Sequence, residues 1–363
     1  EATAALLSTD VDDGIRLADW PVAPGVRRPV VLTRFGVYAP DARIVRFVGG
    51  REVELPRSPL AFFKGTTADG GEPVRVVTWV DPRDGVRGGL AFSPEGIVEL
   101  EPDPDRRRPG GLRVLRADAR FGTDEASLPH WTCGQDEGEA ALVSGPRHAG
   151  EEPVEEGLPH GLRALAPPTK TAVIAFETDA EWVNAARHGG SVANAISYIA
   201  TLVAGVNTIY ERDAGSVVNQ GVRVLQGYTI IRATEAEDPY VDTTGSADSA
   251  KLNEFTNYWE ANYPRTVVRR ALAAYLSGRQ GSSNSASGIA WVSGLCNGVG
   301  YSIDQLFTIS YQAGDLLILA HEVGHNFGAR HTHNCVYGTP PIDRCLAAEG
   351  GCATQGSCPP AQT

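Results

Sequence analysis

Methionine is absent from all 363 residues, although average usage would place it at about 2%. Glu1 is no initiator. The chain therefore reads as a mature or clipped fragment, and a missing signal peptide does not argue for the cytoplasm. No run of about 18 consecutive apolar residues occurs, so no membrane span is predicted. Positive charge is in deficit: 32 Lys and Arg face 44 Asp and Glu, a net charge of −12. That balance excludes a polyanion such as nucleic acid as the natural partner. Cysteine is nearly missing from the first half, where Cys133 stands alone, and no CxxC pair exists anywhere. A thiolate metal site is thereby disfavoured. Neither repeats at periods of 20 to 50 residues nor low-complexity tracts are found.

What is present is ordinary globular composition, 42% hydrophobic and 21% charged, on a chain long enough for two cores. Cys335, Cys345, Cys352 and Cys358 crowd the C-terminal end, with Cys296 upstream. Such a cluster reads as a disulfide clip made in an oxidising compartment, hence a secreted or cell-surface protein. The first half, residues 1–143, carries short Val-rich runs such as "ARIVRFV" and "PVRVVTWV", punctuated by Gly, Pro and Asp. They predict an all-β module, a small antiparallel sandwich or barrel, with no helix before about residue 180. Residues 144–169 are rich in Pro, Gly and Glu and follow neither period, which is linker composition. An exposed linker is also where a protease cuts.

From residue 170 to 363 strand and helix patterns alternate. "TAVIAF", "VRVLQGYTIIRAT", "VVRRALAAYL", "GIAWV" and "FTISYQ" are the expected strands; the runs starting at Ser191 and Ser249 are the expected helices. Alternation predicts an α/β (α+β) domain on a mostly parallel five-stranded sheet.

The densest chemistry is "HEVGHNFGARH", residues 321–331. On a helix starting near Asp315, His321 and His325 lie four apart and share a face, the spacing at which two imidazoles grip one ion. Glu322 sits beside the first histidine, able to reach water at the ion without ligating it. On a continued helix His331 would rise about 9 Å and turn about 600°, pointing away. The chain must break, and Gly328 accepts the left-handed conformation that ends helices. Three imidazoles leave a fourth tetrahedral position open, the mark of a catalytic zinc site. His333 is expected in a loop or behind the ligands, with Asn326 and Arg330 on the surface of the helix end.

His321, Glu322, His325, Gly328 and His331 form the pattern HExxHxxGxxH, which resembles the zinc motif of the metzincin metalloproteases. The cysteine-rich stretch after His331 narrows this to a likeness with the reprolysin (adamalysin-like) branch, in a bacterial-type version. Thr332 departs from the aspartate common in animal members, and the Met-turn of the family is absent, which is read as truncation before that turn. The resemblance implies a zinc metalloendopeptidase acting on peptide or protein substrates. One catalytic Zn2+ would sit on His321, His325 and His331, with Glu322 as general base; a structural Ca2+ is left undecided. It also implies that Ile289, Ala290 and Trp291 belong to the edge strand along which an extended substrate lies. Latent relatives carry a propeptide whose lone cysteine thiolate takes the fourth zinc position. Cys133, just before the linker, is the counterpart here, which makes residues 1–143 the chain's own inhibitor. Relatives pair the equivalent of Cys296 with a cysteine beyond the Met-turn. Against the switch stands a Cys133–Cys296 disulfide. Against the protease stands a secreted, zinc-holding adhesion module with an N-terminal β-sandwich recognition domain and no proteolysis.

Overall fold

The computed structural model describes residues 2–94, 96–103, 111–115, 170–217, 221–242, 244–279, 287–295, 298–305, 312–343 and 349. The chain opens with a short helix, α1 (Ala2–Leu7), that the sequence reading missed; its six residues are too few to display a helical period. There follow β1 (Gly14–Ala23), β2 (Val26–Phe35), β3 (Ile44–Val48), β4 (Arg51–Leu55), β5 (Ala61–Thr67), β6 (Arg75–Asp81), β7 (Gly85–Ser93), β8 (Gly96–Pro102) and β9 (Leu112–Leu115). Seven of them form one antiparallel sheet in the order β1-β2-β5-β6-β7-β8-β9.

Strand alternation gives this sheet two apolar faces. One face, with Trp20, Leu32, Phe63 and Val76, encloses a core of its own that Leu6 of α1 caps. The other, with Phe35, Phe62, Val77, Trp79, Leu90 and Phe92, belongs to the large core shared with the second half of the chain.

That second half contributes β10 (Lys170–Thr178), α2 (Ala180–Asn184), α3 (Val192–Val217), β11 (Val222–Ile230), α4 (Ser249–Asn262), β12 (Leu272–Ser277), β13 (Gly288–Ala290), β14 (Tyr301–Gln305) and α5 (Gln312–Asn326). The sheet order is β13-β14-β12-β10-β11-β3-β4. Neighbours from β14 through β3 run parallel, while β13 and β4 are antiparallel at the two ends. The expected mostly parallel sheet is present, with seven strands rather than five among the described residues, because the β3–β4 hairpin from the first half extends it.

The last expected strand, "FTISYQ", lies outside the described residues except for its final Gln312, which opens α5; the described strand just before it, β14, is "YSIDQ". The third strand starts late because Pro264 nucleates a turn that accepts from the amides of Val267 and Val268.

Helix α3 contains a stretch, Val192–Glu211, long and apolar enough to cross a bilayer by length and composition, which no run of consecutive apolar residues had revealed. Here Ile196, Ile199, Val203 and Val206 are buried in the shared core, between the antiparallel sheet and the zinc-motif helix α5. The first turn of α5 is pinned by charge. Asp315 pairs with Arg187 and accepts from the Tyr198 hydroxyl at 2.6 Å, and Glu99 of β8 accepts from the Ala313 amide at 2.9 Å. Carboxylates at a helix N-terminus meet the positive end of its dipole.

Candidate metal centre

Helix α5 stops at Asn326, and the stop is built into the chain. The Gly328 amide donates to His325 O at 2.8 Å and the Ala329 amide to Gly324 O at 3.0 Å. Gly328 has φ +99°, a conformation that side chains rarely adopt. The reversal brings His331 back over the helix. Ring centroids lie 4.5 Å apart for His321 and His325, 5.2 Å for His321 and His331, and 4.8 Å for His325 and His331. His321 Nε2 and His331 Nε2 approach to 3.2 Å, and one nitrogen from each ring falls within 4.8 Å of the others. Nitrogens bonded to a tetrahedral zinc at about 2.0–2.1 Å stand about 3.3 Å apart, so the donor set fits that ion.

Electrostatics agree. Burial, reinforced by the neighbouring histidines, pulls the His321 pKa down to about 3. Burial likewise pulls His325 down to about 4. Both rings are neutral at physiological pH and keep a lone pair for a metal. His325 Nδ1 lies 2.8 Å from Ala329 O. A proton there donates to the carbonyl and leaves Nε2 as the donor atom.

Behind His331 stands a residue that the sequence did not single out. Glu349 Oε1 is 2.7 Å from His331 Nδ1 and 3.0 Å from His333 Nε2, while Asn334 Nδ2 donates to Oε2 at 3.1 Å. These hydrogen bonds and the nearby imidazoles outweigh partial burial and pull the Glu349 pKa down to about 2. A carboxylate on the far nitrogen of a ligand imidazole fixes its tautomer and raises its basicity. His333 stacks on His331 at 4.9 Å and shares its Glu349 carboxylate. Glu349 sits alone in "LAAEGG", with no period or spacing to mark it. Glu349→Gln is expected to weaken zinc binding roughly 10- to 100-fold, read by competition against a chromogenic chelator; unchanged affinity would remove Glu349 from the site.

Glu322 is fully buried. Its carboxylate lies against Gly288, the first residue of β13: a Cβ there would fall 2.4 Å from Oε1 and 2.8 Å from Cδ. This is the second residue that sequence reasoning missed, one position before the strand residues it named. A Cβ there would also fall 2.8 Å from Cγ of this fully buried side chain, so Gly288→Ala is expected to lower Tm while displacing the carboxylate. The predicted result is a kcat lower by about 10-fold or more at constant zinc content, because a misplaced catalytic group costs rate before binding.

β13 is the terminal strand of the sheet. Ile289 and Ala290 are buried in it, and Trp291 follows, half-buried, with its indole donating to Thr256 at 3.2 Å. Asn326 corrects the surface assignment: it is fully buried, and its amide donates to Trp291 O at 2.9 Å and Tyr301 O at 3.0 Å. It straps the helix end to the edge strand, which a polar residue at a helix terminus does not betray in sequence. Arg330 is half-buried, its amide donating to the Tyr337 hydroxyl at 2.8 Å. Cys133, Cys296, Cys345, Cys352 and Cys358 lie outside the described residues.

Compared with known families, residues 168–363 match the reprolysin model described as Metallo-peptidase family M12, a match that begins just before β10. No curated protein matches the chain.

Proposed function

The chain belongs to metallo-peptidase family M12 as a reprolysin-like metzincin, and from that premise we propose that it is a zinc-dependent endopeptidase made as a latent zymogen. The observation that carries this reading is the convergence of three imidazoles, with a buried carboxylate next to the first of them on the helix. His321, His325 and His331 would hold the zinc. When bound, zinc supplies a Lewis acid that polarises the scissile carbonyl and acidifies water. Glu322 accepts the proton of the attacking water on a carboxylate oxygen and delivers it to the leaving amine nitrogen. Gly288 keeps the space that this carboxylate occupies. An extended peptide would add to the sheet along Ile289, Ala290 and Trp291 through main-chain hydrogen bonds.

Latency would come from Cys133, whose thiolate takes the position that substrate and water need. Residues 1–143 would form the propeptide part, 144–169 the cuttable linker, and 170–363 the catalytic part. The start of the family match at residue 168 supports the last boundary. Secretion is supported by Cys335, which is disulfide-bonded. The zymogen reading is tested by casein hydrolysis before and after linker cleavage. Activity should rise on cutting, vanish with a zinc chelator and return with added zinc. A cut, zinc-loaded protein that leaves casein intact would favour the non-proteolytic adhesion module.

A further inference from the structure

Residues from the first half are built into the sheet that carries the zinc helix. β3 lies parallel to β11, pairing Ile44 with Thr229 and Val45 with Ile230. The Thr229 amide donates to Arg43 O and the Ile231 amide to Val45 O, both at 2.8 Å. The Gln226 amide donates to Val37 O at 2.7 Å and the Ala39 amide to Gln226 O at 2.9 Å. Charge flanks this seam: Arg46 grips both oxygens of Glu237 at 2.7–3.1 Å, and the Tyr228 hydroxyl donates to Glu52 at 2.7 Å.

A second contact is apolar. Phe62, Val77, Trp79 and Leu90 share one continuous core with Ile199 of α3 and Leu316 of α5. A third is Glu99 on the Ala313 amide, at the N-terminus of the zinc helix itself.

We propose that the segment Gly14–Pro102 remains bound to the catalytic part after the linker is cut, so that the working protease is a particle of two chains. This rests on reading 144–169 as the linker and 170–363 as the catalytic part. Its physical basis is the cost of separation. Leaving would strip the backbone partners from β11 and expose an edge of a parallel sheet, a class of sheet that is covered on both faces. It would also bare the buried side chains of α3 that face the antiparallel sheet. The hairpin itself does not compete with substrate at β13, because it occupies the opposite end of the sheet, so activation needs only Cys133 to leave the metal position.

The test uses the full chain with a site-specific protease sequence placed within residues 150–165 and Cys133→Ser to remove the first half's one cysteine. After complete cutting, both pieces should co-elute at the uncut volume in 0.15 M and in 1 M NaCl, since backbone and apolar contacts resist screening. Hydrogen exchange of the peptide spanning 222–231 should be as slow as before cutting. Separation into a free N-terminal piece and a folded, monodisperse catalytic piece would overturn the proposal. So would co-elution accompanied by fast exchange at Thr229 and Ile231, which marks non-specific association. Peptide hydrolysis by the same sample reads the protease assignment separately: an inactive but intact particle counts against the activity and leaves the assembly standing.

Discussion

Glu322→Ala is expected to lower kcat/KM for peptide hydrolysis by roughly 10³-fold, about 4 kcal/mol of transition-state stabilisation, with bound zinc unchanged. The reason lies in its position. Residues adjacent on a helix point about 100° apart, so Glu322 is next to the candidate ligand His321 in sequence without sharing its direction. It is fully buried and packs against Gly288, and it is not one of the three converging nitrogen donors. Removing it takes away a proton acceptor and leaves the donor set intact. Glu322→Gln separates base from filler, because it keeps the volume and loses the negative charge. Both variants should be equally inactive. A Gln variant with more than a tenth of wild-type activity would mean that the carboxylate only packs. Loss of zinc from either would mean that it is a ligand.

The second large effect distinguishes His331 from His333, two histidines whose rings stack 4.9 Å apart and share the Glu349 carboxylate. Three convergent groups including His331, and a second group of His331, His333 and Glu349, lie within ligand reach. The first matches a catalytic zinc, because all its donors are imidazoles and the helix turn directs two of them. In the second, Glu349 is already engaged in hydrogen bonds with both rings and Asn334. His331→Ala should therefore reduce zinc affinity by at least 10³-fold and abolish hydrolysis. His333→Ala should cost about 10-fold, the scale of an outer partner. Equal losses would place the metal between His331 and His333 instead. Zinc added to the wild type should raise Tm, and should not do so in His331→Ala, since a ligand that binds only the folded state stabilises it.

The legible part of the site was local. His321 and His325 are set by the repeat of one helix, and Gly328 by the conformation that only glycine takes cheaply, so one short stretch predicts their geometry. The β strands were legible where Val-rich runs occur, as in "PVRVVTWV", although the pattern does not say that Val76 and Val77 face two different cores. What escaped depends on long-range approach. Gly288 and Glu322 meet only once the sheet edge packs on α5. Glu349 reaches His331 from a stretch whose sequence carries no periodic signal. The β3–β4 hairpin reads as one more strand pair of the first half, and nothing in "ARIVRFV" states that its neighbour is β11, more than 170 residues downstream.

The central claim, one zinc per chain on His321, His325 and His331, is tested most directly by metal analysis of the purified full chain produced with ample zinc. The account predicts close to one zinc per polypeptide. Less than about a tenth of an equivalent in folded protein would contradict it.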